Sequence, residues 1–129
     1  LSLSICYEIA YPHLVRSSAK EPMALVTISN DTWFGDSIGP VQHLQIAQMR
    51  ALENGRSLLR VTNNGITAAI DHAGEITDVL PRNQQGVLQT ELVLVRGDTP
   101  YHRYGYGMLG AILTFVFLLN IAASRWRSQ

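Results

Sequence analysis

Residues 105–124 constrain this chain most, because twenty consecutive residues there carry no charged side chain. A helix of that length is about 30 Å long, which matches the hydrocarbon core of a bilayer. Aromatic residues flank the stretch, as they do at membrane interfaces; they are Tyr101, Tyr104, Tyr106 and Trp126. The stretch therefore predicts one transmembrane helix. A buried carboxyl-terminal core helix is the alternative, since small and polar residues dilute its hydrophobicity.

The charges around this stretch suggest an orientation. Arg125 and Arg127 follow it directly, which favours a cytoplasmic tail and an extracytoplasmic main domain, although Arg96 and Arg103 on the other side weaken that signal. Ten basic residues balance ten acidic ones without a basic run, so we predict no binding of nucleic acid. The chain starts at Leu1 without an initiator Met or a signal peptide, and we expect it to be the carboxyl-terminal piece of a longer protein.

Residues 1–99 have the pattern of a soluble α/β domain. Residues 23–29 are a continuous apolar run, typical of a strand buried on both faces. Pro40 and Gly55 bracket a predicted helix with an apolar stripe from Val41 through Leu44, Ala47 and Ala51 to Leu52. The other predicted strands are residues 3–6, 57–62, 66–71, 75–80 and 87–95, with a hairpin turn at Asn63-Asn64-Gly65. This order predicts an α/β or α+β sandwich.

Cys6, the single cysteine, is the strongest candidate for chemistry. It ends an apolar strand, where its thiolate is a strong nucleophile if a neighbouring base or cation generates it. The alternative is a small buried apolar residue. Four scattered histidines show no metal-ligand spacing, and we interpret them as surface or turn residues. No Gly-rich phosphate loop is present, so we predict neither a metal nor a cofactor.

Several residues near Cys6 in the motifs are candidates for a substrate pocket. Trp33 and Phe34 lie in a polar loop that ends in glycine, which favours a pocket or lipid-facing role over a core role. Tyr7 either lines the pocket or belongs to the core. Glu8 either assists at the site or makes a structural hydrogen bond. Arg50 and Glu53 are three residues apart on the predicted helix and should form a structural pair.

Four motifs occur in order along the chain: Ile5-Cys6-Tyr7-Glu8, Asn30-Asp31-Thr32-Trp33-Phe34-Gly35, Arg50-Ala51-Leu52-Glu53-Asn54 and Thr62-Asn63-Asn64-Gly65. Their combination resembles the nitrilase superfamily and, within it, the apolipoprotein N-acyltransferase family. The resemblance implies a partial nitrilase-like αββα sandwich over residues 1–99, followed by an interfacial segment and a transmembrane helix over residues 100–129. It also implies a bacterial inner membrane, with the nitrilase-like domain on the periplasmic side.

The resemblance implies a reaction as well. Cys6 would attack an acyl ester of a phospholipid such as phosphatidylethanolamine, form a thioester and pass the acyl group to the amino group of a diacylated apolipoprotein. The superfamily uses a Glu–Lys–Cys triad whose Glu and Lys precede the cysteine, yet only five residues precede Cys6. Lys20, the only lysine, follows Cys6 and does not match. We therefore expect the isolated chain to be inactive. A nitrilase-type amidase and a non-catalytic membrane-anchored domain remain as alternatives.

Overall fold

The computed structural model describes residues 1–19 and 23–127, so Lys20 lies outside the described residues. The strands are β1 Ser2–Ile5, β2 Leu25–Ser29, β3 Leu58–Thr62, β4 Thr67–Ile70 and β5 Ile76–Leu80. They form one sheet in the order β1-β2-β3-β4-β5. Strands β1, β2 and β3 are parallel to one another, whereas β3, β4 and β5 are successively antiparallel. This mixed α/β sheet confirms the predicted fold class.

Local signals explain the elements that agree with the sequence. Strands β3 and β4 form the predicted hairpin around Asn63-Asn64-Gly65 and pair Leu58 with Ile70. The helices are α1 Pro12–Ser18, α2 Gly39–Asn54, α3 Pro100–Tyr104 and α4 Gly107–Arg127, and short 3₁₀ turns cover Cys6–Ala10 and Asp31–Phe34. Helix α2 has Pro40 in its first turn and ends at Gly55, whose φ of 61° needs glycine's freedom.

Two sequence predictions about helix α2 and the last strand are wrong. Val41 and Leu52 are exposed, and the buried side of α2 includes the polar residues His43, Arg50 and Asn54. The predicted strand at residues 87–95 is an irregular extended segment in the structure. Instead of a strand ladder, single hydrogen bonds hold it, one of them from the Ser57 hydroxyl to the Val93 carbonyl at 2.6 Å. High β-propensity without a neighbouring strand to pair with does not make a strand.

The two faces of the sheet differ in what covers them. Helices α1 and α2 pack on one face, which we call the covered face, and bury the core there. That core consists of Ile9, Val15, Ala19, Leu25, Leu44, Ala47, Ala51, Leu58, Ala68 and Ile70. On the opposite face, which we call the open face, Ile5, Ile28 and Val61 are neighbours in register and each is roughly half exposed. The prediction that residues 23–29 are buried on both faces is therefore wrong for the described residues, which supply one covering layer.

Helix α4 is the candidate membrane span. Its segment Gly107–Trp126 has a mean hydropathy of 2.0 in its most apolar window and is exposed along its length. Its polar side chains bond back to carbonyls of the same helix: Thr114 to Gly110 at 2.8 Å, Asn120 to Val116 at 2.9 Å and Ser124 to Ile121 at 2.9 Å. Such internal bonds satisfy part of the hydrogen-bonding capacity of these side chains within the helix, as a hydrocarbon environment favours.

A short segment connects the sheet domain to α4. Arg16 in α1 donates from Nε to the His102 carbonyl at 2.8 Å and from Nη2 to the Arg103 carbonyl at 3.1 Å. Thr99 donates to the Glu53 carbonyl at the end of α2. The Nδ1 atom of His102 lies 3.1 Å from Oδ1 of Asn54. Helices α1 and α2 thus fix the point from which α4 leaves the domain.

Candidate active site

Three of the four motifs meet at one edge of the sheet. Cys6 follows β1, Asn30 and Asp31 follow β2, and Asn63 follows β3. Because these three strands are parallel, their carboxyl ends lie at the same edge, where ligand sites of open α/β sheets are found. These three motifs, which are far apart in the sequence, are therefore close together in space.

Cys6 occupies a strained position between strand β1 and its 3₁₀ turn. Its φ of 51° lies in the left-handed region, which non-glycine residues rarely adopt and which concentrates at functional sites. The residue is half-buried. A sharp strand-to-helix turn of this kind presents a nucleophile at the top of a sheet. The thiol is thus held at the sheet edge instead of being packed in the core.

The two residues after Cys6 have different environments. Glu8 is exposed, and its Oε2 accepts a hydrogen bond from the Ile5 backbone N–H at 2.7 Å, which closes the turn. This contact is the structural hydrogen bond considered for Glu8. Tyr7 is 55% exposed, and its ring meets Tyr11 edge-on at 5.9 Å and lies 6.3 Å from the His43 ring.

The Trp33 loop, residues 31–38, places its two aromatic residues differently. The Trp33 side chain is 87% exposed. Phe34 is half-buried, and its ring meets the His43 ring edge-on at 5.8 Å. A Cβ on Gly39 would lie 2.3 Å from the Phe34 ring, so glycine is needed for this close packing. The loop thus anchors Phe34 beside His43 and leaves Trp33 accessible.

Asp31 is the polar centre beneath these segments. Its Oδ2 lies 2.5 Å from Nη2 of Arg60, and its Oδ1 accepts from the Ser29 hydroxyl at 2.8 Å and lies 3.0 Å from Nδ1 of His43. The Asp31 and Arg60 side chains are both fully buried. A Cβ on Gly65 would lie 2.1 Å from Asp31 Oδ2, so the β3–β4 turn also approaches this carboxylate. Asp31 therefore connects its own motif to the β3–β4 turn directly and to Tyr7 of the Cys6 motif through His43.

Burial lowers the pKa of the Arg60 guanidinium, and the charges of Asp31 and then Cys6 oppose this shift. A buried arginine is costly unless it is paired, and Asp31 supplies the pairing charge.

The Arg50–Glu53 pair lies away from this centre, on α2. Its Nη2–Oε1 distance is 2.9 Å, as the predicted structural pair requires. Burial raises the pKa of Glu53, and the charge of Arg50 partly offsets that shift. Asn54 donates to the Arg50 carbonyl at 2.8 Å. This motif supports the end of α2 and the segment that leads to α4.

The structure brings Tyr7, the residue after Cys6, and Phe34 together around His43, which the sequence interpretation had placed at the surface or in a turn. That interpretation is wrong, because His43 is buried between the Tyr7 and Phe34 rings and bonded to Asp31. Arg60 was missed altogether. One feature of the sequence points to it: Arg60 follows Leu58 by two residues in a central strand, so both side chains lie on the same, buried face of the sheet. Among the described residues, no cluster of three or more His, Cys, Asp or Glu side chains could hold a metal ion.

Residues 1–99 match the model of the carbon-nitrogen hydrolase family. The chain belongs to this family. Its members among the solved structures share the fold: a carbon-nitrogen hydrolase from Helicobacter pylori G27 superposes with a TM-score of 0.63 at 15% identity, over 82% of this chain and 42% of the other. The amidase from Nesterenkonia sp. superposes with a TM-score of 0.52 at 23% identity, over 63% of this chain and 33% of the other.

Curated relatives are much more similar in sequence. Apolipoprotein N-acyltransferase from Pseudomonas putida is 58% identical over 121 residues, which is 94% of this chain. The corresponding enzyme of Vibrio vulnificus is 44% identical over 128 residues, or 98% of this chain. The resemblance to this family is therefore confirmed. The chain spans about a quarter of the length of these relatives, since the matches cover 24% of each of them.

Proposed function

We propose that this chain is part of a membrane acyltransferase that N-acylates the terminal diacylglyceryl-cysteine of apolipoproteins. The observation that carries the proposal is the extent of the match to apolipoprotein N-acyltransferases. A match that covers 98% of this chain extends into helix α4, whereas the hydrolase family model ends at residue 99. We therefore divide the chain into a hydrolase-like part, residues 1–99, and a membrane part, residues 100–129.

Cys6 is the proposed nucleophile. Its thiolate attacks the carbonyl carbon of a phospholipid acyl ester, with phosphatidylethanolamine as the expected donor, and the carbon–oxygen bond breaks. The leaving alkoxide takes a proton and departs as a lysophospholipid, and a thioester remains on Cys6. The amino group of the diacylated apolipoprotein then attacks the thioester, loses a proton and forms the amide while the thiolate leaves. No cofactor takes part in either step.

The geometry supports this assignment. The left-handed turn at Cys6 places this half-buried residue at the sheet edge, and Tyr7 beside it and Trp33 after β2 leave aromatic surface accessible for an acyl chain or lipid headgroup. Phe34 would form the wall behind it, and Glu8 would remain the residue that shapes the turn. The general base and the oxyanion-stabilising cation are the Glu and Lys that the superfamily carries before its cysteine. We place the site on the periplasmic side of the inner membrane.

The test uses membranes from cells that express the complete reading frame containing this chain. Phosphatidylethanolamine with labelled acyl chains and a diacylated lipopeptide are added, and products are identified by mass spectrometry. We expect an N-acylated lipopeptide and a labelled acyl adduct on Cys6. Cys6→Ala should abolish both, while Ser17→Ala on the exposed side of α1 should retain them.

Three results would contradict the proposal. Labelled lipopeptide formed at the wild-type rate by Cys6→Ala would exclude Cys6 as the nucleophile. Ammonia release from a simple carboxamide without lipopeptide acylation would favour the amidase alternative. Absence of both activities in the wild-type protein would favour the non-catalytic domain.

A further inference from the structure

The short helix α3 lies between the sheet domain and α4, and its carboxyl end is held by a side chain from α1. The last carbonyls of a helix have no partner within that helix. In α3 two of them, those of His102 and Arg103, accept hydrogen bonds from the Arg16 guanidinium, at 2.8 Å from Nε and at 3.1 Å from Nη2. Gly105 follows α3 with a φ of 56°, and a Cβ there would lie 2.9 Å from Nη1 of Arg16. Arg16 therefore caps α3 in close contact, just before α4 begins.

The helix that carries this arginine continues directly from the turn that starts at Cys6. Tyr11 joins the two: its N–H donates to the Glu8 carbonyl at 3.0 Å, and its carbonyl accepts from the Val15 N–H at 3.3 Å. Ile9 in the turn and Val15 in α1 are both buried in the core of the covered face. The ten helical positions from the nucleophile to the capping arginine span at most about 20 Å. The nucleophile and the cap of α3 thus belong to one continuous packed segment.

The position of α4 follows from that of α3. Two residues lie between these helices, and the Tyr106 ring before α4 meets the Tyr101 ring of α3 edge-on at 5.6 Å. The contacts from the end of α2 act earlier in the connecting segment, where the buried Arg56 donates from Nη1 to the Gly97 carbonyl at 2.6 Å. Among the described residues, the cap by Arg16 is therefore the last hydrogen-bonded tie from the sheet domain before α4.

We propose that Arg16 is a positioning residue for a reaction at a membrane surface: by capping α3, it holds the Cys6 turn at one height and orientation relative to the bilayer that α4 spans. The inference rests on the proposed function in the membrane placement of α4, but not on the identity of the acyl donor or acceptor. A substrate anchored in a bilayer cannot follow a displaced nucleophile, and reacting atoms must approach to about 3–3.5 Å. Arginine suits this role because its planar fork binds two carbonyls at once, which the point charge of lysine does not.

The experiment compares two alkylating reagents on Cys6 in the complete protein, reconstituted in vesicles of phosphatidylethanolamine and phosphatidylglycerol. Iodoacetamide approaches from water, whereas an iodoacetyl group attached to the headgroup of phosphatidylethanolamine stays at the bilayer surface. Mass spectrometry quantifies the alkylated Cys6 peptide over time. For Arg16→Met we expect the lipid-borne reagent to react about tenfold more slowly. The rate with iodoacetamide should stay within about twofold of wild type, because the surroundings of the thiol are unchanged.

Two further substitutions separate the hydrogen-bonding fork of Arg16 from its charge. Arg16→Lys keeps the charge and loses the fork, so its rate with the lipid-borne reagent should fall about threefold, between wild type and Arg16→Met. Arg96→Met removes a positive charge from an exposed residue of the same connecting segment and is the matched control. It should leave the rates with both reagents unchanged.

A pair of insertions keeps the inference falsifiable even if Arg16→Met folds poorly. Two glycines inserted between Gly105 and Tyr106, after the cap, release α4 from α3 and should slow the lipid-borne reagent about tenfold as well. Combining this insertion with Arg16→Met should add less than about twofold, because both remove the same constraint. Two glycines inserted between Arg96 and Gly97, before the cap, lie in an exposed part of the segment and should retain the wild-type rates.

The outcomes separate this inference from the proposed function. Equal losses with both reagents in Arg16→Met would mean a merely structural role and would overturn the inference, as would a wild-type rate with the lipid-borne reagent in Arg16→Lys. Alkylation requires no acyl transfer, so the expected selective losses without N-acylated lipopeptide from the wild type would retain the positioning role and reject the acyltransferase. Lipopeptide formation together with equal labelling of all variants by the lipid-borne reagent would do the reverse.

Discussion

Two adjacent rows of the same three strands have opposite chemistry. On the covered face the row is Ser4, Thr27 and Arg60, and it is buried; on the open face the next row is Ile5, Ile28 and Val61, and it is roughly half exposed. In a sheet with one face in contact with water, the polar row would lie on the solvated face and the apolar row on the face that packs against the core. The inversion indicates that the open face is a packing surface, whereas the covered face holds a buried polar row.

The sequence supports the same interpretation. Residues 23–29 have the continuous apolar pattern of a strand covered on both faces, but the described residues cover one. We infer that a second layer of the hydrolase fold, supplied by the rest of a longer protein, packs on the open face. The chain would then be the αβ half of an αββα sandwich, with the other half carrying the missing members of the triad.

The largest predicted effect tests the open face. Ile28→Asp in the complete protein should cost on the order of 3 kcal/mol or more, because it would bury an unpaired carboxylate between the layers. Thermal melting followed by size-exclusion chromatography in detergent measures the loss. Met49→Asp, on an equally exposed site of α2, is the matched control and should change little.

The same substitution should act in the opposite direction on the isolated chain. Without a second layer, Ile28→Asp removes exposed apolar surface and should increase the soluble fraction in detergent-poor buffer. A complete protein that melts within about 2 °C of wild type with Ile28→Asp would mean that the open face is in contact with water.

An intermediate effect is expected at Gly65, which lies at the edge of the sheet where the parallel strands end. Gly65→Ala places a Cβ against Asp31 Oδ2, so the carboxylate or the β3–β4 turn must shift. We expect a loss of about 1–3 kcal/mol in stability. Acyl transfer should fall about tenfold or more, because Asp31 positions the groups around Cys6. Gly107→Ala, where a Cβ meets no neighbour, is the control for both measurements.

Normal activity in Gly65→Ala, with stability equal to that of Gly107→Ala, would show that Asp31 does not couple the three motifs. A stability loss without an activity loss would limit Asp31 to a structural role.

The parts of this fold that the sequence predicts are those with local signals. Helix α2 begins and ends where Pro40 and Gly55 indicate, and the β3–β4 hairpin forms around Asn63-Asn64-Gly65. These features depend on a few neighbouring residues, and sequence patterns record them directly.

The buried contacts of Asp31 join residues that are far apart in the chain, and for this reason the sequence did not predict them. Arg60 and Asp31 are 29 positions apart, and His43 meets Asp31 from a third element. Neither a histidine on a helix nor an arginine in a strand indicates burial unless its partner is known. For the same reason the segment 87–95 was wrongly predicted as a strand, because β-propensity does not reveal whether a partner strand is available.

The smallest predicted effect tests how far the polar row on the covered face extends. The Thr27 hydroxyl is buried and has no hydrogen-bond partner within the described part of the chain. Thr27→Val keeps the shape and removes an unsatisfied polar group, so it should leave stability unchanged or raise it by up to about 1 kcal/mol. Ser29→Ala, which removes a hydrogen bond to Asp31, should instead cost about 1 kcal/mol. Thermal unfolding of the complete protein measures both. If Thr27→Val proves as costly as Ser29→Ala, Thr27 has a hydrogen-bond partner in the complete protein, such as a bound water, and the hydrogen-bonded polar row on the covered face spans all three parallel strands and not only the Arg60 end.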